Sequence, residues 1–163
     1  MKTLLRVILW AAVIGWMALI FSFSVETAAE STETSGGFIE FFMAKWIPGF
    51  TELTDAEQTA KIESVTYFVR KSAHFVVFAV LGFLTCAALW SCDVSVKRAL
   101  ILAAVIGALY AVSDEVHQVF VPGRAGMIRD VILDTCGVVT GSGAMTLVRL
   151  IVNKLKHKSF SGR

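Results

Sequence analysis

Asp114, Glu115, His117, Gln118 and Arg124 crowd into Ser113 to Arg124 (SDEVHQVFVPGR), and Asp130 and Asp134 follow within ten residues. Lys71 and His74 stand upstream, three apart and so on one helix face. An imidazole beside a carboxylate serves as general acid or base near neutral pH. Asp114, three residues before His117, could orient that ring, and Arg124 with Lys71 could hold a phosphate or carboxylate. These types and spacings make His74, Asp114, His117 and Asp134 the candidate catalytic residues. Lys71, Glu115, Gln118, Arg124 and Asp130 are the candidate substrate-binding residues. Ser113 and Ser72 offer hydroxyls, but neither sits in a nucleophile elbow. A metal-assisted version would draw on His74, His117, Asp114 and Asp134, a nitrogen and oxygen set suited to zinc or manganese. With no H-E-x-x-H motif, a divalent metal is the less favoured reading and no cofactor is assigned.

The elements that must position these groups are apolar. Of 163 residues 56% are hydrophobic and only 17% charged, with a mean hydropathy of +0.70, far from a soluble domain's usual quarter of charged residues. Four apolar stretches, at 4–24, 73–92, 99–121 and 127–152, each approach the ~20 residues a helix needs to cross ~30 Å of hydrocarbon. The first follows Lys2 and Arg6 but is too long for a signal-peptide core and lacks a small-residue cleavage site, so it reads as a retained span. Ionisable groups cost about 2.5–3.5 kcal/mol each at the centre of such a span, so they persist only where they pair, face a wet cavity or work.

Lysine and arginine cluster at Lys2/Arg6, at Lys97/Arg98, and at Lys154, Lys156, Lys158 and Arg163. With four spans these clusters share one side, which predicts both termini in the cytoplasm. The intervening loop 25–72 carries Glu26, Glu30, Glu33, Glu40, Glu52, Asp55, Glu57 and Glu63 against four cations, and belongs outside. Within it, Glu26 to Gly37 reads as flexible linker, and the aromatic run Phe38 to Phe50 as an interfacial or re-entrant segment. Thr54 with Glu57 predicts a capping box and a helix that continues through Tyr67 into the second span.

The expected architecture is an all-α, polytopic four-helix membrane bundle forming a single domain over 1–163. Asp114 falls roughly 22 Å along its helix from Ala99, in the outer third of the hydrocarbon. Asp130 and Asp134 share a face that continues through Gly137 and Gly141, small residues against which another helix can pack closely. The second, third and fourth spans would then present one outward-facing polar pocket with Arg124 at its rim. Cys86, Cys92 and Cys136 lack zinc spacing and read as small buried hydrophobes, not a disulfide framework. Phe75, Phe78, Phe83 and the tryptophans read as lipid-facing or interfacial.

Four segments together resemble the VanZ-like family: K-x-x-H-F at Lys71 to Phe75 with Phe78 and Leu81-Gly82; S-D-E-x-H-Q-x-F-x-P-G-R at Ser113 to Arg124; D-x3-D-x2-G at Asp130 to Gly137; and Phe-Ser-x-Ser at Phe21 to Ser24. The resemblance spans about Trp16 to Leu147 and leaves Glu26 to Tyr67 unmatched. It implies a multi-pass protein of the bacterial inner or plasma membrane, associated with the cell envelope and with reduced susceptibility to the glycopeptide teicoplanin. The implied partners are the lipid bilayer and a lipid-linked cell-wall precursor or the glycopeptide itself, with no nucleic acid. The open alternatives are a hydrolase or transferase on an envelope substrate, a non-catalytic binding protein for a lipid headgroup or glycopeptide, and, with less support, a small transporter.

Overall fold

The computed structural model describes residues 2–25 and 28–161, with side chains for 2–25 and 36–155. Glu26 and Arg163 lie outside the described residues, and so do the side chains of the charged Glu30, Glu33, Lys156 and Lys158. Five α-helices run α1 (Lys2–Ser24), α2 (Ala28–Trp46), α3 (Asp55–Ser91), α4 (Val96–Gln118) and α5 (Ile128–Ser161), with a 3-10 turn at Phe50–Glu52 between α2 and α3. Among the described residues there is no strand. Helices α1, α3, α4 and the Ile128–Leu155 part of α5 are long and apolar enough to cross a membrane. Their packing is inside-out: Leu4, Ile8, Ile14, Phe21, Leu109, Leu147 and Leu150 are exposed, whereas Ser24, Thr85, Asp114, Asp134 and Ser142 are buried. That pattern fits a lipid solvent.

Helix α3 starts where its capping box predicts. The Thr54 hydroxyl accepts the Glu57 N–H, and the Glu57 carboxylate accepts the Thr54 N–H at 2.9 Å. At 37 residues α3 is roughly 55 Å long, well beyond the hydrocarbon core, so its first turns project past the other spans. Around this projection the linker expectation fails. Residues 28–37 belong to helix α2, Gly36 and Gly37 included, although each glycine costs about 1 kcal/mol in a helix. Tertiary packing overrides that cost: Ile39 and Met43 are buried with Phe50 and pack against Leu53 and Ile62. Phe38, Phe41, Phe42 and Trp46 remain exposed on the other side of α2.

Helix α3 is central and packs on α1, α4 and α5. Its far end is bolted to the start of α1: the Arg6 guanidinium donates to the Ser91 carbonyl and to the Asp93 carboxylate, each at 2.6 Å. Asp93 turns the chain in the left-handed region (φ 62°), a conformation Asp tolerates better than most side chains. Higher up, the Trp16 indole N–H donates to the Val77 carbonyl and the Tyr110 hydroxyl to the Met17 carbonyl. These bonds pin the middle of α1 to α3 and α4.

Helices α3 and α5 run parallel along a seam of small residues. A Cβ on Gly137 would lie 2.5 Å from the Phe75 carbonyl oxygen, and one on Gly141 would collide with the Ala79 carbonyl. Below them the Ser142 hydroxyl donates to the Gly82 carbonyl at 3.1 Å, and Val138 is buried among Val13, Phe78, Leu81 and Ala111. Phe78 is therefore core and not lipid-facing, contrary to its sequence reading. Trp90 is buried too. Cys86 is buried as expected, but Cys92 and Cys136 are exposed, and all three are free thiols. Helix α4 ends at Gln118, short of position 121, because the chain tightens into turns before Pro122 and Gly123 (φ 77°).

The seam gives a direct test. Gly141→Ala should lower the thermal midpoint of the detergent-purified protein by an amount equivalent to about 1–3 kcal/mol of overpacking. Gly143→Ala, where a Cβ meets nothing within 4 Å, should be close to neutral.

Candidate functional site

At the end of the bundle opposite Arg6 and Asp93, the α3–α5 seam becomes polar and forms two rungs. Lys71 pairs with Asp130, and one turn deeper His74 faces Asp134, Nδ1 to Oδ2 at 3.6 Å. The spacings explain the ladder: three residues along α3 and four along α5 each advance about one turn on parallel helices. Lys71 also lies over the Tyr67 ring at 5.3 Å, and the His74 ring stacks at 6.5 Å from Phe78.

Asp114 enters from α4. Its Oδ1 accepts the Ser24 hydroxyl at 2.6 Å and its Oδ2 the Gln118 amide at 3.0 Å. One ligand-type atom from each of His74, Asp114 and Asp134 lies within 4.8 Å of the others. Asp114 is 2% exposed and Asp134 fully buried, whereas His74 is only partly covered. Among the described residues neither oxygen of Asp134 has a hydrogen-bond partner, nor has His74 Nδ1; 3.6 Å is too long for one. Above these groups opens a cavity of ≈ 170 Å³ lined by Tyr67, Arg70, Lys71, His74, Gln118, Gly123, Arg124, Ala125, Met127 and Asp130. Cations and an imidazole thus form the wall of a cup whose floor is two buried carboxylates.

Of the nine candidates, the structure brings seven to this place: Lys71, His74, Asp114, Gln118, Arg124, Asp130 and Asp134. The other two face elsewhere. His117 turns its ring against Phe21 of α1, centroids 4.4 Å apart, and does not line the cavity. Glu115 is buried on another face, where its Oε2 accepts the Met127 N–H at 2.8 Å and so ties the α4–α5 elbow to α4. Ser72 and Ser113 are exposed, and the Ser113 hydroxyl donates to the Tyr110 carbonyl.

Three residues outside the nine belong to the site. Ser24 sits at the end of the first span, in the Phe-Ser-x-Ser run, where a hydroxyl closing an apolar helix was the available clue. Arg70 and Tyr67 flank Lys71 on a helix that the sequence already carries through this region.

A family model for VanZ/LLP1 matches residues 9–149. The chain belongs to the VanZ/LLP1 family. Within that family match lie α1 from Leu9, all of α3 and α4, and every residue of the cup; the described polar cluster is therefore part of what the VanZ/LLP1 model covers. No curated protein and no solved structure matches the chain.

The upper rung is open to a double-mutant cycle. Lys71→Ala alone leaves Asp130, 9% exposed, without its cation and should destabilise the purified protein. The double variant Lys71→Ala/Asp130→Ala should recover part of the loss, with a coupling of about 1–3 kcal/mol.

Proposed function

We propose that this VanZ/LLP1 protein is a multi-pass protein of the bacterial inner or plasma membrane. Its outward-facing cup takes the anionic headgroup of an envelope lipid or lipid-linked peptidoglycan precursor, and its action there affects susceptibility to teicoplanin. The observation that carries this reading is the shared cavity of Arg70, Lys71, Arg124 and His74 above buried Asp114 and Asp134. Guanidinium and ammonium groups bind phosphate or carboxylate by charge-assisted hydrogen bonds, and ≈ 170 Å³ suits a headgroup, not a whole glycopeptide.

The sidedness rests on charge. Lys2, Arg6, Lys97, Arg98, Arg149 and Lys154 belong to the opposite end of the bundle, which the positive-inside rule assigns to the cytoplasm together with both termini. A substrate anchored in the outer leaflet reaches the cup without leaving the membrane. Exposed Phe38, Phe41, Phe42 and Trp46 of α2 have the composition of an interfacial anchor beside it.

His74 is the acid–base group in this reading. It takes the proton of a water or acceptor hydroxyl as that oxygen attacks the bound phosphate ester, and returns it to the leaving oxygen. Asp134 faces the ring's Nδ1 at 3.6 Å, and the pocket's cations hold the charge that develops on the phosphoryl oxygens. The second reading, capture of a headgroup without chemistry, uses the same cations but not the imidazole.

The two histidines separate the readings. In cells carrying equal membrane amounts of each variant, His74→Ala should abolish both the change in envelope lipid species and any teicoplanin phenotype, while His117→Ala retains most of both. If His74→Ala keeps both and Arg124→Ala loses them, the protein binds without catalysing. If only His117→Ala is inactive, the cup is not the site.

A further inference from the structure

We infer that His74, Asp114 and Asp134 form a binding site for one divalent cation, zinc or manganese, at the floor of the cup. It concerns the same pocket as the reading above but not its substrate, and it engages His74 through Nδ1, which leaves Nε2 for the proton transfer of that reading. Its first observation is the juxtaposition of one imidazole and two carboxylates from three helices, with donor atoms within 4.8 Å of one another. The second is Asp134 itself, fully buried and aimed into that group with neither carboxylate oxygen hydrogen-bonded among the described residues.

Charge makes the combination telling. Arg70 and Arg124 line the cavity above, but among the described residues Asp134 is buried with neither oxygen hydrogen-bonded, and a buried carboxylate without a partner is strongly disfavoured. Lys71, one turn above, is engaged by Asp130. His74 Nδ1 faces Asp134 Oδ2 at 3.6 Å with no hydrogen bond, as two ligands of one ion would. The 4.8 Å spread is somewhat wider than the roughly 3–4 Å between ligands on an ion with ~2.0–2.2 Å bonds, a gap that small side-chain rotations close.

Asp114 shows the support that ligating carboxylates receive. Ser24 and Gln118 each donate to one of its oxygens, which fixes the group and leaves further lone pairs for a cation. Nitrogen plus carboxylate oxygen suits zinc or manganese better than the all-oxygen preference of calcium or magnesium. The ligand set differs from a sequence-only grouping in one member, because His117 points to Phe21.

The test uses full-length protein in detergent, stripped with chelator and re-exposed separately to Zn2+ and Mn2+ without any lipid substrate. Metal per chain is then counted after desalting, and the thermal midpoint is read with and without each ion. Wild type should hold one ion and gain thermal stability, and His117→Ala should behave alike. Asp134→Asn, which keeps the shape but removes the charge, should lose both effects, and Ser24→Ala should weaken affinity by about 10–100-fold. Retention of the ion and its thermal shift in Asp134→Asn would overturn the inference. So would a wild type that takes up neither ion while Asp134→Asn is at least as stable, since Asp134 would then be balanced by a proton. Because no lipid is present, either failure leaves the headgroup-binding reading to be judged separately.

Discussion

Keeping Asp134 and Asp114 inside a lipid-facing bundle is the constraint that organises the rest of the structure. Charge buried in a low dielectric must be matched at close range, because neither water nor distant ions can screen it. Ser24 and Gln118 satisfy Asp114, His74 faces Asp134, and Lys71 takes up Asp130 a turn above. None of these contacts survives a helix shift of a few ångströms. The glycine seam at Gly137 and Gly141 sets the spacing of α3 and α5 directly below the rungs. Small residues that let backbones touch are how membrane helices associate where lipid tails compete on equal terms with side chains.

The first helix plays a less obvious part. Apolar along most of its length, it delivers Ser24 to Asp114 only because its position along the bundle is fixed at several heights. Arg6 holds its start to Ser91 and Asp93, Trp16 binds the Val77 carbonyl, and the Met17 carbonyl accepts from Tyr110. All the chemistry-bearing groups except Arg124 thus sit on rigid helices, the condition under which a site keeps its geometry. Arg124 lies at the elbow, beside the left-handed Gly123.

Much of this was legible in the sequence, and the parts that were not share a cause. Four spans, the Thr54 capping box, the close-packing face at Gly137 and Gly141, and the meeting of Lys71 and His74 with Asp130 and Asp134 all follow from periodicity along single helices. How far each helix is rotated about its own axis does not, since successive residues differ by about 100° and packing decides which faces turn inward. That is why His117, three residues from Asp114, leaves the cluster for Phe21, whereas Glu115, about 100° round the helix from Asp114, meets the Met127 N–H as its spacing implies. Phe78 is core for the same reason: apolar on a membrane helix does not say which side is lipid. Helix α2 escaped because Ser, Thr and paired glycines favour loops locally. Only contacts from Ile39 and Met43 to residues beyond Trp46 reverse that preference.

The pocket's side of the membrane is the claim on which its substrate depends. Ala125 is exposed at the cup, and native Cys92 is exposed at the opposite end of the bundle. In a chain carrying Cys136→Ala, a membrane-impermeant maleimide applied to intact cells should label Ala125→Cys and should reach Cys92 only after the membrane is permeabilised. Labelling of Cys92 in intact cells, with Ala125→Cys protected, would place the cup in the cytoplasm and contradict an action on outer-leaflet envelope lipids.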